Sequence, residues 1–586
     1  MRAKGGRRAG RGGGAGFAQG PAVPPRRHAM PPDAPPPAHA LTPPTVRAPD
    51  FPPALDWVLA GDVPPTVAAL RGRVVVVDLW TYGCINCQHL VPELRALERR
   101  FGDRVAVLGV HSGKFIAERV TARIAHAAAR LGVAHPVAND RQFRTWRAWA
   151  ARGWPTLAVV DARGYVRFQQ SGERRAAELA AVVEAALAAA AGEPGAGRPA
   201  WQAEAGHPGD GRLRPPAADA LRYPSAVAAG APRPDGTRPF AVADAGHHRV
   251  LVGTLAPDGR TFRVAHVVGT GRRTRDGCLA LDGWSLGAGE SLGRAAFAAC
   301  ADGPPDRATF DRPQGLAWGL GDGGALALYI ADTGNHAVRQ VDPATGGVRT
   351  VAGTGARMRT RGDRRAGALA SPWGVLAFDG AGGGAELLVA MAGTHELWRV
   401  EPSTGQAGPV AGGRGEALVD GPPGDALLAQ PTGLASDGRR VWWADAESSA
   451  VRESTRTALG VGHDRDSTRA ASVRTLVGTG LFDFGLADGV GDGARLQHPQ
   501  GVAWVPDGGR DGGGRLLVAD SYNDALRWLD PRTREVRTWL DGFAEPTGVC
   551  VAGPFVYVAD TNAHRVAVVE LATGTVDTLA VLPPPG

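Results

Sequence analysis

Val74-Val75-Val76-Val77-Asp78-Leu79-Trp80, followed after Thr81, Tyr82 and Gly83 by Cys84-Ile85-Asn86-Cys87, decides the fold of the first part of this chain. The valine run reads as a buried strand, and Leu90 to Phe101 beyond the cysteines has amphipathic helical spacing. A dithiol at a strand-to-helix junction faces the positive end of the helix dipole and unsatisfied amide donors, which favour thiolate over thiol. Two intervening residues place the second sulfur on the first helical turn, within reach of the first. The same spacing occurs in zinc sites, but no second C-x-x-C or His/Cys pair nearby completes four ligands, so no metal is expected.

The flanking residues carry a resemblance. Asp78 and Trp80 precede Cys84, Pro92 follows Cys87, and Trp154-Pro155-Thr156 leads into a second apolar run, Leu157 to Val160. This pattern resembles the thioredoxins, whose active-site strand carries D-x-W, whose second helix is bent at proline, and whose cis-proline loop packs against the dithiol. The resemblance implies that Cys84 is the nucleophile and Cys87 the resolving thiol, with Asp78 accepting the proton of Cys87. It also implies a cis bond before Pro155, and an extended substrate held by Trp80, Trp154, Pro155 and Thr156. His111 and His135 read as structural histidines at strand ends.

Composition bounds the rest. A chain of 586 residues with Gly 83 and Pro 46 predicts several domains rich in tight turns. No apolar run approaches the ~20 residues of a membrane helix, and no charged-then-apolar leader opens the sequence. The net charge of +7 sits mostly in residues 1–50, where Arg2, Lys4, Arg7, Arg8, Arg11, Arg26, Arg27 and Arg47 face only Asp33 and Asp50. The folded body is therefore nearly neutral, which argues against nucleic acid as a partner. Five cysteines are too few for a secreted disulfide scaffold. Cys278, Cys300 and Cys550 read as small buried residues or loop thiols, with a Cys278–Cys300 pair as the alternative.

Residues 1–48, rich in Arg, Gly, Ala and Pro, read as a disordered tail, or alternatively as an organelle transit peptide. Residues 49–190 alternate strands and helices: Val105 to Val110 is a second buried strand, Phe115 to Leu131 has helical spacing, and Ala176 to Ala191 closes the unit. Residues 191–215 read as a linker. From 216 to 586 the sequence repeats. Pro-x-Gly-aliphatic recurs at Pro313, Pro372, Pro431, Pro499 and Pro546, with Pro224-Ser225-Ala226-Val227 as a degenerate copy. Each is followed by a strand ending at Asp244, Asp332, Asp445, Asp520 or Asp560, with Met391 in the divergent third copy. Six such units, each too small to bury both faces, predict a six-bladed propeller. The aspartates, with His336 and His564, read as turn residues that hold each repeat.

Asn335-His336-Ala337 resembles the triplet that names NHL repeats. The two parts together resemble thioredoxin-like modules fused to an NHL propeller, the NHL repeat-containing protein 2-like family in its bacterial or plastid form. Gly109-Val110-His111-Ser112, His135-Pro136-Val137 and Gly480-Leu481-Phe482-Asp483-Phe484-Gly485 support that resemblance. It departs at Gly83, where relatives carry a further cysteine. The resemblance implies a multidomain chain, an α/β thioredoxin-like domain followed by an all-β propeller. It implies a thiol–disulfide oxidoreductase whose propeller recruits a protein client, with no cofactor beyond a thiol reductant that the sequence does not identify. The competing reading is a non-catalytic interaction scaffold with a vestigial thioredoxin-like module. The expected location is the cytoplasm, or a plastid if the tail is a transit peptide.

Overall fold

In the computed structural model, residues 41–190 and 220–584 are described, apart from 62–63, 175, 272–299, 360–362, 365–366, 381–382, 414, 463–471 and 509–512. Strands β1 (Asp56–Val58), β2 (Val74–Trp80), β3 (Val105–His111), β4 (Val137–Asn139), β5 (Thr156–Val160) and β6 (Val166–Ser171) form one sheet in the order β1-β4-β3-β2-β5-β6. β2 pairs in parallel with β3 and antiparallel with β5, and it is buried along its whole length. Four successive valines suit only such a central strand, covered on both faces. Helices α1 (Ile85–Phe101) and α4 (Ala176–Ala189) cover one face through Leu90, Leu94, Leu97 and Val183. Phe51, Leu70 and Trp149 close the other. Pro92 lies inside α1, as the pattern required.

Residues 42–48, assigned from composition to the tail, run instead along the β5–β6 hairpin. Thr42 N–H donates to Arg167 O at 2.9 Å and Ala48 N–H to Gly164 O at 2.9 Å, so open hairpin groups there find main-chain partners. The rest of the expected tail, the linker and Cys278 lie outside the described residues.

Six antiparallel sheets follow, one per repeat, arranged as a six-bladed propeller. Each Pro-x-Gly-aliphatic copy is the first strand of its blade, and residues of all six copies line an axial channel of about 80 Å³. The glycine follows from that crowding. A Cβ on Gly374 would overlap the carbonyl oxygen of Thr432 on the next blade, and one on Gly501 would overlap that of Thr547. The strand-end aspartates are wholly buried. Each accepts the N–H two residues before its blade's proline: Arg222 N–H to Asp244, Asp311 to Asp332, Ala429 to Asp445, Gln497 to Asp520 and Ala544 to Asp560, at 2.6–2.9 Å. Each also pairs with an arginine of the following strand, Arg249, Arg339, Arg452, Arg527 or Arg565. Blade 3 replaces the pair with Met391 and Trp398, both buried.

A second set of bonds joins neighbouring blades. The residue before each proline (Tyr223, Arg312, Ser371, Gln430, His498 and Glu545) is left-handed, with φ of 49–59°. So is the residue that caps the end of each blade's 3-10 turn: His248, His336, His395, Ser449, Asp524 and His564. The pre-proline N–H donates to that turn residue of the preceding blade at every junction, at 3.0–3.2 Å. Blade 1 thus takes its bond from His564 of blade 6. Ala580–Leu582, from the end of the chain, then pairs in parallel with the outer strand of blade 1, Thr261–Val268.

Gly374→Ala and Gly501→Ala are each expected to lower propeller stability by about 2–3 kcal/mol through backbone overlap. Gly408→Ala, at a site where a Cβ meets nothing within 4 Å, should leave urea unfolding unchanged.

Candidate active site at the domain interface

Cys84 is the N-cap of α1, and its side chain makes no capping bond. It is partly exposed, whereas Cys87 one turn on is completely buried. The two thiols are close enough to influence each other's ionisation. Burial, then Cys84, then the Asp78 charge push the Cys87 thiol well above its ordinary range. Asp78, on the dithiol end of β2, is 2% exposed and its Oδ1 has no hydrogen-bond partner. Burial raises its carboxyl to about 7 against the opposing pull of His135. A buried carboxyl without full hydrogen bonding is costly in its charged form. His135 sits 3.4 Å from Glu98 of α1. His111 accepts the Tyr82 N–H at Nε2 (3.1 Å) and stacks on the Tyr82 ring, and burial lowers it to about 3. It is therefore a neutral structural residue near neutral pH.

The Trp154–Pro155 peptide is cis. Trp154 Nε1–H donates to Ser112 O at 2.9 Å, while no hydrogen bond engages its main-chain N–H or C=O among the described residues. The four residues expected to hold an extended substrate are not equally placed to do so. Trp154 is half-buried, but Trp80 and Thr156 are each 1% exposed and Pro155 is buried too. Trp80 packs edge-on against His111, and the Thr156 hydroxyl bonds Gly153 O and Ser171 Oγ. The Trp80 and Thr156 side chains are thus engaged within the thioredoxin-like fold.

The dithiol end of the thioredoxin-like fold is docked on the propeller. Five of the six left-handed pre-proline residues touch that fold. The Tyr223 hydroxyl meets His126 Nδ1 at 3.4 Å, and Ser371 Oγ meets His89 Nε2 at 2.8 Å. His498 packs edge-on to Phe115. Glu545 accepts from the Tyr82 hydroxyl at 3.2 Å and from Arg130 Nη1 at 3.2 Å. Gln430 bonds both sides of Cys84: its Oε1 accepts the Ile85 N–H at 2.9 Å, and its Nε2 donates to Gly83 O at 2.9 Å. Lys114, buried, donates to the Glu447 carbonyl and to its Oε2, each at 2.6 Å. Burial alone would raise Glu447, but Lys114 and His498 pull it down to about 2. Helix α2 (Thr121–Leu131) starts later than the spacing from Phe115 predicted. Phe115 precedes it because its ring packs on Phe484 and Tyr522 of the propeller. A Cβ on Gly83 would lie 2.8 Å from Glu118 Oε1 of the same fold, 3.0 Å from the Tyr522 hydroxyl and 3.2 Å from His498 Nε2, so glycine at this position fits a site crowded from both sides.

Sequence reasoning missed these docking residues. Their one signal is a varied residue (Tyr, Arg, Ser, Gln, His, Glu) immediately ahead of an otherwise regular motif. A residue before proline is ordinarily extended, so nothing local announces its left-handed turn.

Residues 72–166 match a thioredoxin-like family model, and residues 543–569 match an NHL repeat model. Human NHL repeat-containing protein 2 is 32% identical across 92% of this chain and 72% of its own length. Protein SUPPRESSOR OF QUENCHING 1, chloroplastic, from Arabidopsis thaliana is also 32% identical, across 90% of this chain and 47% of its own length. Protein DipZ of Mycobacterium tuberculosis is 38% identical over 22% of the chain.

Asp78 gives a pH test. Its folded carboxyl lies near 7 against roughly 3.9 in an unfolded chain, so its contribution to stability is full below about pH 4 and lost as pH rises towards 7. Asp78→Asn removes that loss. The variant should gain on the parent between pH 4 and 8, by on the order of 2–4 kcal/mol, in parallel denaturant titrations.

Proposed function

Because the chain belongs to the NHL repeat-containing protein 2 family, we propose that it is a thiol–disulfide oxidoreductase acting on a protein client. One observation carries this reading: a partly exposed thiol at a helix start lies one turn from a wholly buried thiol beside a buried carboxyl near 7. Those are the unequal environments that a two-step exchange needs.

In the reducing direction the Cys84 thiolate attacks one sulfur of a client disulfide. A mixed disulfide forms, and the other client sulfur leaves as a thiolate. Cys87 then gives its proton to Asp78 and attacks the Cys84 sulfur, releasing the second client thiolate. Two electrons pass to the client, and the chain is left with a Cys84–Cys87 disulfide that an external dithiol reduces. Oxidation of a client runs through the same steps in reverse. The unengaged main chain of Trp154 supports pairing with an extended client strand there, beside the cis-proline.

The propeller's part is client recruitment through loops away from the face it gives to the thioredoxin-like fold. No helix among the described residues is long and apolar enough to cross a membrane. We place it in the cytoplasm, where few disulfides form; the chloroplastic relative supports the plastid alternative.

A scaffold without turnover has its own support, since propeller side chains bond the backbone on both sides of Cys84. Insulin reduction separates the two readings. The parent chain should turn over with dithiothreitol as donor, Cys84→Ser should abolish the rate, and Cys87→Ser should accumulate a mixed disulfide visible on a non-reducing gel. A parent rate equal to that of Cys84→Ser favours the scaffold.

A further inference from the structure

Cys84 sits in a loop that two parts of the chain hold at once. Its neighbours Gly83 and Ile85 each give a main-chain group to one side chain, Gln430, at 2.9 Å and 2.9 Å. Gln430 is 1% exposed, is left-handed at φ 59°, and donates its own N–H to His395 Nδ1 at 3.0 Å. The amide fork therefore belongs to the blade junction as much as to the dithiol loop, and it has little freedom to follow the loop if the loop moves.

The fork fixes the backbone on both sides of the N-cap. An N-cap side chain reaches the amides of the second and third helical residues, here Asn86 and Cys87, and a hydrogen bond to a charged acceptor is stronger than one to a neutral acceptor. In the loop as Gln430 holds it, Cys84 makes no capping bond. We infer that Gln430 is a positioning residue through which the docked propeller restrains the nucleophilicity of Cys84, by fixing the loop in an arrangement that keeps the sulfur from those capping amides. The inference rests on the proposed dithiol chemistry and supplies its regulation: whatever loosens blade 4 from the loop releases a more reactive Cys84. By linkage, oxidation that shifts the Cys84 loop weakens docking to the same extent.

The other charged and titratable groups at the loop are left in place by changing Gln430. Glu118 holds the Gly83 N–H at 2.9 Å, and His498 and Tyr522 face Gly83. Asp78 lies beneath Cys87, and Lys114 is paired with Glu447. A change in Cys84 behaviour can then be read as the effect of the amide fork.

The test is the rate of Cys84 alkylation by iodoacetamide in the reduced full-length chain, followed by peptide mass spectrometry from pH 5 to 9. Gln430→Ala releases the loop so that the Cys84 sulfur can reach the capping amides, and alkylation at pH 6.5 should rise about three- to tenfold, with the profile displaced to lower pH. Gln430→Glu keeps an acceptor for Ile85 but puts a negative charge beside the sulfur, so its rate should fall below that of the parent. Ser371→Ala serves as the docking control, because it removes a different pre-proline contact, the one to His89, away from Cys84. It should leave the profile where it is. Equal rates for the parent and both Gln430 variants overturn the inference, as does an equal rise in Ser371→Ala and Gln430→Ala. The readout needs no turnover. A chain that fails to reduce insulin yet shows opposite shifts in the two Gln430 variants rejects the oxidoreductase reading while retaining the restraint.

Discussion

Six main-chain amides, each donated across a blade boundary to His248, His336, His395, Ser449, Asp524 or His564, are the constraint on which the rest of the molecule depends. A non-glycine residue in the left-handed region just before proline is disfavoured twice over, by its own Cβ and by the proline ring. It persists at six places because the neighbouring blade fixes it there. One product is a closed ring of junctions. The other is an array of six side chains around one face, five of which meet the thioredoxin-like fold.

Docking at that array changes what the dithiol can be. Its surroundings come from two distant parts of the chain: Gln430 is 345 residues from Ile85, and Glu545 is 463 from Tyr82. The interface is largely polar and closely matched, with the buried Lys114–Glu447 pair on one side and Arg123 and Arg130 with Asp524 and Glu545 on the other. Buried ion pairs add little net stability compared with apolar packing, but breaking one is expensive. Such a surface selects a single orientation rather than simply holding two domains together. The aromatic contacts of Phe115 with Phe484 and Tyr522 supply the apolar component.

Much of this was legible wherever a residue type answers a local need. The valine run and the C-x-x-C at a strand end each follow from chemistry within a few residues, whereas the cis bond before Pro155 and the role of Asp78 come from the thioredoxin resemblance. The blades were legible from the glycines because adjacent inner strands leave no room for a Cβ. Phe115 shows the limit. Its apolar side chain fits helical periodicity, but it is buried by a surface more than 350 residues away, so the helix was read too long. Trp80 and Thr156 were read as substrate-binding from the pattern alone, which does not show how far their side chains are engaged within their own fold. Ile85 and Gly83 carry no sign that their main-chain groups are taken.

Ala580–Leu582 pairs with blade 1, more than 300 residues before it in the chain. During synthesis at about 5–20 residues per second, the thioredoxin-like fold leaves the ribosome tens of seconds before blade 6 and that strand exist. Through this interval Phe115, Tyr82 and the Cys84 loop have no finished surface to meet. The nascent chain therefore passes through a period in which its thiols and aromatic side chains are exposed to other proteins.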